Sequence, residues 1–592
     1  MRTSARWRAV ATIAAVASLA VAAGCGGSSS SSGESSNGGG TPTAPPQGAK
    51  KGGDLTMLYN ADVDNIDPQI TYYQYGLNIA YATQRPLYSY KPDDATNPQP
   101  DLAEGPPQIS SDGKTVTVKI RSGVKFSPPV NREVTSKDVK YGLERGFLKT
   151  VNGAYVGAYM GDVHGLKAYQ SGKAKEISGL QTPDNLTLVV KLDRPRGAIV
   201  AGMFSLTASS PVPEEYAAKF DKQQPSTYGL HQVATGPYMV KNDSSGKLTG
   251  YKPGSEIQLV RNPNWDASTD YKPAYLNSIT VKEGVDPDVG ARQIVSGSHM
   301  ISGDFQLTPS TLQRVSTRNK DLLVLTPPTG RYRYMALNTR VKPFDNVDVR
   351  RAIIAGFDRD ALRKAFGGSL VGDIPTHYIP PGQPGYDQAG GANGPGLDFM
   401  SKPTGDMALA AQYMKKAGYP SGKYTGGQTF TMVSDNATQQ LNVTEVAAQQ
   451  FQKLGFKTKI KAVTRDSMYT KFCQVPKSEP PICPSVGWLK DFADPETLLG
   501  PVFNGKNILS VGNSNFALLD DAKANAQMDK AETVNDPAKR NQAWGQVDKT
   551  VTALAPGIPW LWDKQPVLHS QDVNGVINVA NATWDIPSTS IR

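Results

Sequence analysis

The chain has 592 residues, 38% of them hydrophobic, with a net charge of +10 and three cysteines. That length exceeds what one hydrophobic core usually covers, so two or three subdomains are expected; 57 Gly and 44 Pro suit a turn-rich mixed α/β body better than a helical bundle. The basic charge shows no Lys/Arg run, which argues against nucleic acid as a partner.

MRTSARWR opens the chain with three arginines and no acid, and an apolar run follows from Ala9 to Ala23. About fifteen residues are too few to span a hydrocarbon core of about 30 Å, so residues 1–24 read as an export signal. Their removal lowers the charge by three, to +7. Ala22-Ala23-Gly24-Cys25 resembles the lipobox of bacterial lipoproteins, with Ala22 where that family usually has Leu. This resemblance implies a diacylglyceryl group on Cys25; the alternative is ordinary signal cleavage beside an incidental cysteine. Residues 25–50 are rich in Ser, Gly and Pro and almost devoid of apolar side chains. They read as a flexible tether that holds the body near a membrane.

The body opens with KGGDLTMLYNADVDNIDPQIT, an alternating strand closed by the turn-former Asp67-Pro68. A tyrosine-rich stretch follows, with rings at 72, 73, 75, 81, 88 and 90, partly core and partly a surface suited to a ligand. Ser111-Asp112-Gly113-Lys114 is a turn into a strand alternating through Val116, Val118 and Ile120. Thr135 or Ser136 caps a helix with Val139, Leu143 and Phe147 on one face. ATGPYMVKNDSSGKLTGYKPGSEIQLVRNPNW reads as antiparallel hairpins. RYRYMALNTRVKPFDNVDVRRAIIAGFDRDAL gives a strand, a turn at Pro343 and a helix from about Val347. From Thr404 to Val463 helix, strand, helix and strand alternate, the second helix carrying Leu441, Val446, Phe451 and Leu454. That is βαβ grammar, a sheet covered by helices. Cys473 and Cys483 flank a Pro-rich loop, and in an exported protein they read as a disulfide.

Enzyme signatures are sparse. The five histidines are scattered, with no zinc pairing, phosphate loop or nucleophile elbow. Ser111-x-x-Lys114, Ser244-x-x-Lys247 and Ser434-Asp435-Asn436 match fragments of a penicillin-binding pattern. Both S-x-x-K matches fall in turns, however, where a serine is not aimed at its lysine. Asp62 with Asp64, or Asp491 with Asp494, could be imagined as a glycosidase pair, but acids beside Pro are usually turn formers. No metal site and no cofactor are expected.

GWLKDFADPETLLG, from Gly487 to Gly500, sets Asp491 between Trp488 and Phe492. Two readings stand: a cap on the helix that Glu496, Leu498 and Leu499 suggest, or a sheltered carboxylate awaiting a cation.

Several stretches in order resemble family 5 extracellular solute-binding proteins. They are Asp67-Pro68, Pro100-Asp-Leu-Ala103, Ile120 to Phe126, Val134 to Val139, Thr235-Gly-Pro-Tyr238, Arg261-Asn-Pro-Asn264, Ala336-Leu-Asn-Thr-Arg340, Pro343-Phe-Asp345, Phe357-Asp-Arg-Asp360 and Gly487-Trp-x-x-Asp491-Phe-x-Asp-Pro495. The resemblance implies an α/β, two-lobed, type II periplasmic-binding-protein-like fold with an extra subdomain inserted in lobe one. Lobe one would comprise residues 51–90, 210–325 and 555–592, the insertion 91–209, and lobe two 326–554. It further implies an extracytoplasmic monomer, anchored to the membrane, that captures a peptide or other small solute between the lobes. The solute would pass to an ABC permease served by its ATPase. In peptide-binding relatives the aspartate matching Asp491 pairs with the ligand's α-ammonium. Trp488 and Phe492 would shield that pair, and Tyr72, Tyr73 and Tyr75 would line the opposing lobe. Lys490, if it turned inward, would neutralise Asp491. An oligosaccharide stacked on aromatic rings is the alternative ligand within the binding class, and an exported hydrolase is the alternative outside it.

Overall fold

A computed structural model describes residues 41–592 apart from Asp304, Thr329 and Val511, and apart from the side chains of Tyr75, Ala154 and Tyr155. The export signal, Cys25 and residues 26–40 lie outside the described residues. Part of the stretch read as tether lies inside them: Thr41 donates its hydroxyl to Leu325 O at 3.0 Å. Pro42 O accepts the Ile577 amide at 2.7 Å. A stretch without apolar side chains is thus held by backbone bonds that composition does not reveal.

The first lobe is built on a sheet ordered Met300–Ser302, Asp54–Leu58, Ser278–Lys282, Glu256–Arg261, Tyr238–Val240. Asp54–Leu58 runs parallel to both neighbours, and the expected hairpin region supplies the antiparallel side. Leu55, Met57, Ile257, Leu259, Ile279 and Val281 meet Val573, Ile577 and Trp584 from the chain's end in one core.

The second lobe holds a six-stranded sheet ordered Gly372–Asp373, Gly557–Asp563, Arg331–Leu337, Ile482–Leu489, Thr429–Asp435, Lys457–Val463. Alternation along Arg331–Leu337 sends Tyr332, Tyr334 and Ala336 to one core and Met335 and Leu337 to another. Both faces are therefore buried, as a sheet flanked by helices requires. Helix Thr438–Lys453 joins two parallel strands in a βαβ unit. Its buried line runs through Val443, Ala447 and Phe451. Leu441 and Val446, expected inside, are only half-buried. Strand Gly557–Asp563 pairs with Arg331–Leu337, so the chain leaves the second sheet near residue 564 rather than 555.

A small antiparallel module has its own sheet, ordered Gln108–Ile109, Thr115–Lys119, Thr187–Lys191, Leu180–Asp184. Val116, Val118 and Ile120 pack there against Val139 and Leu143 of helix Ser136–Arg145. Thr135 and Asp138 form a reciprocal capping box at the start of that helix.

Two segments connect the first lobe to the second. Leu323–Leu325 pairs antiparallel with Pro566–Leu568. The pairing continues toward the second lobe, where the Thr326 amide donates to Gln565 O at 3.2 Å and the Gln565 amide to Thr326 Oγ1 at 2.8 Å.

Candidate functional site

Strand Ile482–Leu489 runs through the second sheet with Trp488 opposite Tyr332, then delivers residues 490–495 to the edge of the lobe. Helix Glu496–Phe503 follows. Its first-turn amide, on Glu496, is received by Asp494 Oδ1 at 2.9 Å. Asp494 thus receives the helix's first amide, while the bonds of Asp491 run to Tyr72 and Tyr159. Asp494 also receives two bonds from the Arg540 guanidinium, at 2.6 and 2.9 Å.

Asp491 faces the rest of the chain. Tyr72, from the first lobe, donates its hydroxyl to Asp491 Oδ1 at 3.3 Å. Tyr159, from helix Ala154–Tyr159 of the antiparallel module, donates to Asp491 Oδ2. Phe492 is 2% exposed and joins the core of that module. Its ring lies edge-on to Tyr159, centroids 4.9 Å apart. Asp64 steadies Tyr72 from below by accepting the amides of Tyr72 at 2.6 Å and Tyr73 at 3.1 Å and the Thr71 hydroxyl at 2.9 Å.

Burial pushes the Asp491 carboxyl up to about 7, against the opposing pull of the Tyr159 and Tyr72 hydroxyls. Those two phenols are in turn held well above their usual range, by burial first and then by the Asp491 charge. Lys490 turns away from Asp491: its ammonium donates to Ala95 O at 3.2 Å. Burial lowers it to about 7, with the Asp94 charge working the other way.

Of the residues expected from the sequence, Asp491, Phe492 and Tyr72 come together. Trp488 is half-buried and braces the loop from behind, donating its indole N–H to Thr497 O at 2.6 Å. Tyr73 is 49% exposed and is not bonded to Asp491. The side chain of Tyr75 lies outside the described residues. Tyr159 escaped the sequence reading: it sits in a short helix 332 residues from Asp491. Cys473 and Cys483 are bonded to each other. Ser111 and Ser244 stand in exposed turns. Among the described residues no group of three or more His, Cys, Asp or Glu could hold a metal ion. None of their helices is long and apolar enough to cross a membrane.

A carboxylate of the second lobe thus meets two tyrosine hydroxyls, and the phenylalanine beside it a ring, from other parts of the chain. The chain belongs to the bacterial extracellular solute-binding proteins, family 5, matched over residues 97–510. It is similar to the glutathione-binding protein GsiB of Salmonella paratyphi A, 25% identical over 490 residues, 82% of this chain and 84% of that protein. Among solved structures it is similar to the clavulanic acid biosynthesis oligopeptide binding protein 2. That pair has 26% identity and a TM-score of 0.79, covering 93% of this chain and 99% of that one. Haemophilus influenzae OppA in complex with RPPGFSPFR shares the fold at 19% identity and a TM-score of 0.72, covering 92% and 99%. The fold is thus the mixed α/β, type II periplasmic-binding-protein fold.

Proposed function

We propose that the protein is the extracytoplasmic solute-binding component of an ABC importer and captures peptides by their free α-ammonium at Asp491. One observation carries this reading. Asp491 is a sheltered carboxylate whose hydrogen-bond donors are two neutral hydroxyls, with no cation in salt-bridge reach among the described residues. A carboxylate taken from water costs several kcal/mol unless a cation and hydrogen bonds satisfy it. A peptide amine entering the cleft supplies that cation. The rest of the peptide needs only main-chain hydrogen bonds and roomy pockets, which suits a site without a ligand-specific motif. The names of the relatives, an oligopeptide binder and a glutathione binder, support the same class of ligand.

In this reading the protein works as a monomer, anchored through a lipid on Cys25, and delivers solute to a permease driven by its ATPase. It performs no hydrolysis. Loss of radiolabelled palmitate from a Cys25→Ala variant tests the anchor.

Calorimetry and thermal shift on the mature protein test the ligand, with short peptides each paired with an N-acetylated twin and malto-oligosaccharides alongside. Ligand at a hundred times its dissociation constant stabilises by about 2.7 kcal/mol. Binding of free peptides alone, lost in Asp491→Asn, is the expected result. Equal binding of both twins, or of sugars only, would overturn the amine site.

A further inference from the structure

The loop that carries Asp491 makes a second contact with the antiparallel module, and this one is ionic. Arg196 lies in the bend between strand Thr187–Lys191 and helix Gly197–Met203 and is 7% exposed. Its guanidinium stands 2.5 Å from Glu496 and 2.5 Å from Glu532, both on the second lobe. Arg194 reaches Glu532 as well, at 3.2 Å. Asn535 of the second lobe grips the same bend, donating to Pro195 O and accepting the Ala198 amide, both at 3.0 Å.

The anchorage continues back to the solute site. Glu496 shares its other oxygen with Arg540 at 2.6 Å, and Arg540 holds Asp494. Residues 491–496 are thereby fixed at one end by Tyr72 and Tyr159 and at the other by Arg196 and Arg540. Among the described residues of its own module the one carboxylate near Arg196 is Asp162, at 3.6 Å, and the Arg196 Nε has no hydrogen-bond partner. Its strong partners, Glu496 and Glu532, are on the second lobe. A cavity of about 310 Å³, lined by Arg194, Arg196, Asn504, Lys506 and Glu532 among others, opens beside the pair. Water and salt can therefore enter as the contact parts.

We propose that Arg196 is a positioning residue for solute capture: it latches the closed form through Glu496 and Glu532, and so sets how long a solute stays at the Asp491 site. The effect on solute residence rests on the reading of Asp491 as the solute site; the latch itself does not. A buried ion pair need add nothing to net stability, since desolvation offsets attraction. Here, though, opening returns Arg196 and Glu532 to water and leaves Glu496 to Arg540, so the contact acts on the open–closed balance rather than on folding.

The test uses the full mature protein with genetically encoded dyes at exposed Lys167 and Lys523, and single-molecule energy transfer to count closed molecules. Trialanine is the solute probe. Arg196→Gln should lower the closed fraction of the empty protein and speed trialanine release at least about tenfold. Arg196→Lys should restore part of both. The paired variant Arg196→Gln with Glu532→Gln removes a charge of each sign and should stay as open as the single variant while folding normally. An unchanged closed fraction in Arg196→Gln, or in the paired variant if the single one does not fold, overturns the latch. A lowered closed fraction in a protein that never binds trialanine upholds the latch and counts against the peptide reading alone.

Discussion

Tyr159 holds two consecutive residues of the second lobe at once: its hydroxyl donates to Asp491 and its ring packs edge-on against Phe492. A single side chain of the antiparallel module thus makes the polar and the apolar halves of one contact across the cleft. Tyr159→Phe separates them, keeping the ring and deleting the donor. The empty closed form then holds an under-satisfied carboxylate, a cost of about 1–3 kcal/mol. Thermal denaturation should show a lower midpoint for the empty variant, and a larger rise on adding a free-amine peptide than in the parent.

Lys490, buried, and Asp491 beside it, half-buried, give the empty protein a distinctive pH response. The raised acid costs the folded state nothing below its ordinary value of 3.8 and its full penalty above about 7. The lowered lysine costs nothing above its ordinary value of 10.5 and its full penalty below about 7. Both penalties are thus nearly complete at neutral pH. The midpoint gained by Asp491→Asn should grow from pH 4 to 7 and then level. The gain from Lys490→Met should hold level up to about pH 7 and shrink toward pH 10. Melting scans of the three proteins across that range check both limbs.

How much of this was legible in the chain differs by kind of feature. The helix start at Thr135 or Ser136, the alternation of Val116 and Val118, and the βαβ run through Phe451 are local patterns, and they read correctly; the reciprocal bond from Asp138 was not anticipated. The Asp491 motif was visible because Trp, Asp and Phe sit close together in sequence. Its partners were not. Tyr159 and Arg196 lie 332 and 300 residues from the groups they meet, and nothing in their neighbours distinguishes them. The cap reading of Asp491 did not anticipate Asp494, two residues before the helix's first residue, which receives that residue's amide. Trp488 belonged to the motif, but strand alternation turned its ring to the back of the loop.

Gly202 offers a steric test of closure. A Cβ there would stand 2.4 Å from Cε2 of Phe492 and 2.7 Å from its Cδ2. Gly202→Ala should therefore displace the ring at a cost of about 1–3 kcal/mol. Because the clash exists only with the lobes together, the variant should fold normally yet bind solute at least about tenfold more weakly. Calorimetry paired with a melting scan of the empty protein separates the two effects.

Cys473 and Cys483 enclose a short loop, ten positions apart. On loop-closure entropy alone their bond contributes about 2.7 kcal/mol. Reduction should lower the melting midpoint by an amount that matches a Cys473→Ser, Cys483→Ser variant. Discrimination between free and acetylated peptides should survive, because Asp491 is held by Tyr72 and Tyr159 rather than by the bridge.

The pairing of Leu323–Leu325 with Pro566–Leu568 limits how the lobes can move at all. Two independent strings would let one lobe swivel on the other in any direction. Two strands laced to each other bend easily across the ribbon and resist twisting along it. Opening is thereby reduced to a single swing, like a book on its spine. Every excursion brings the Asp491 loop back to the same three surfaces, those of Tyr72, Tyr159 and Arg196. The search for the shut state is short, and it is repeated in the same register with each solute.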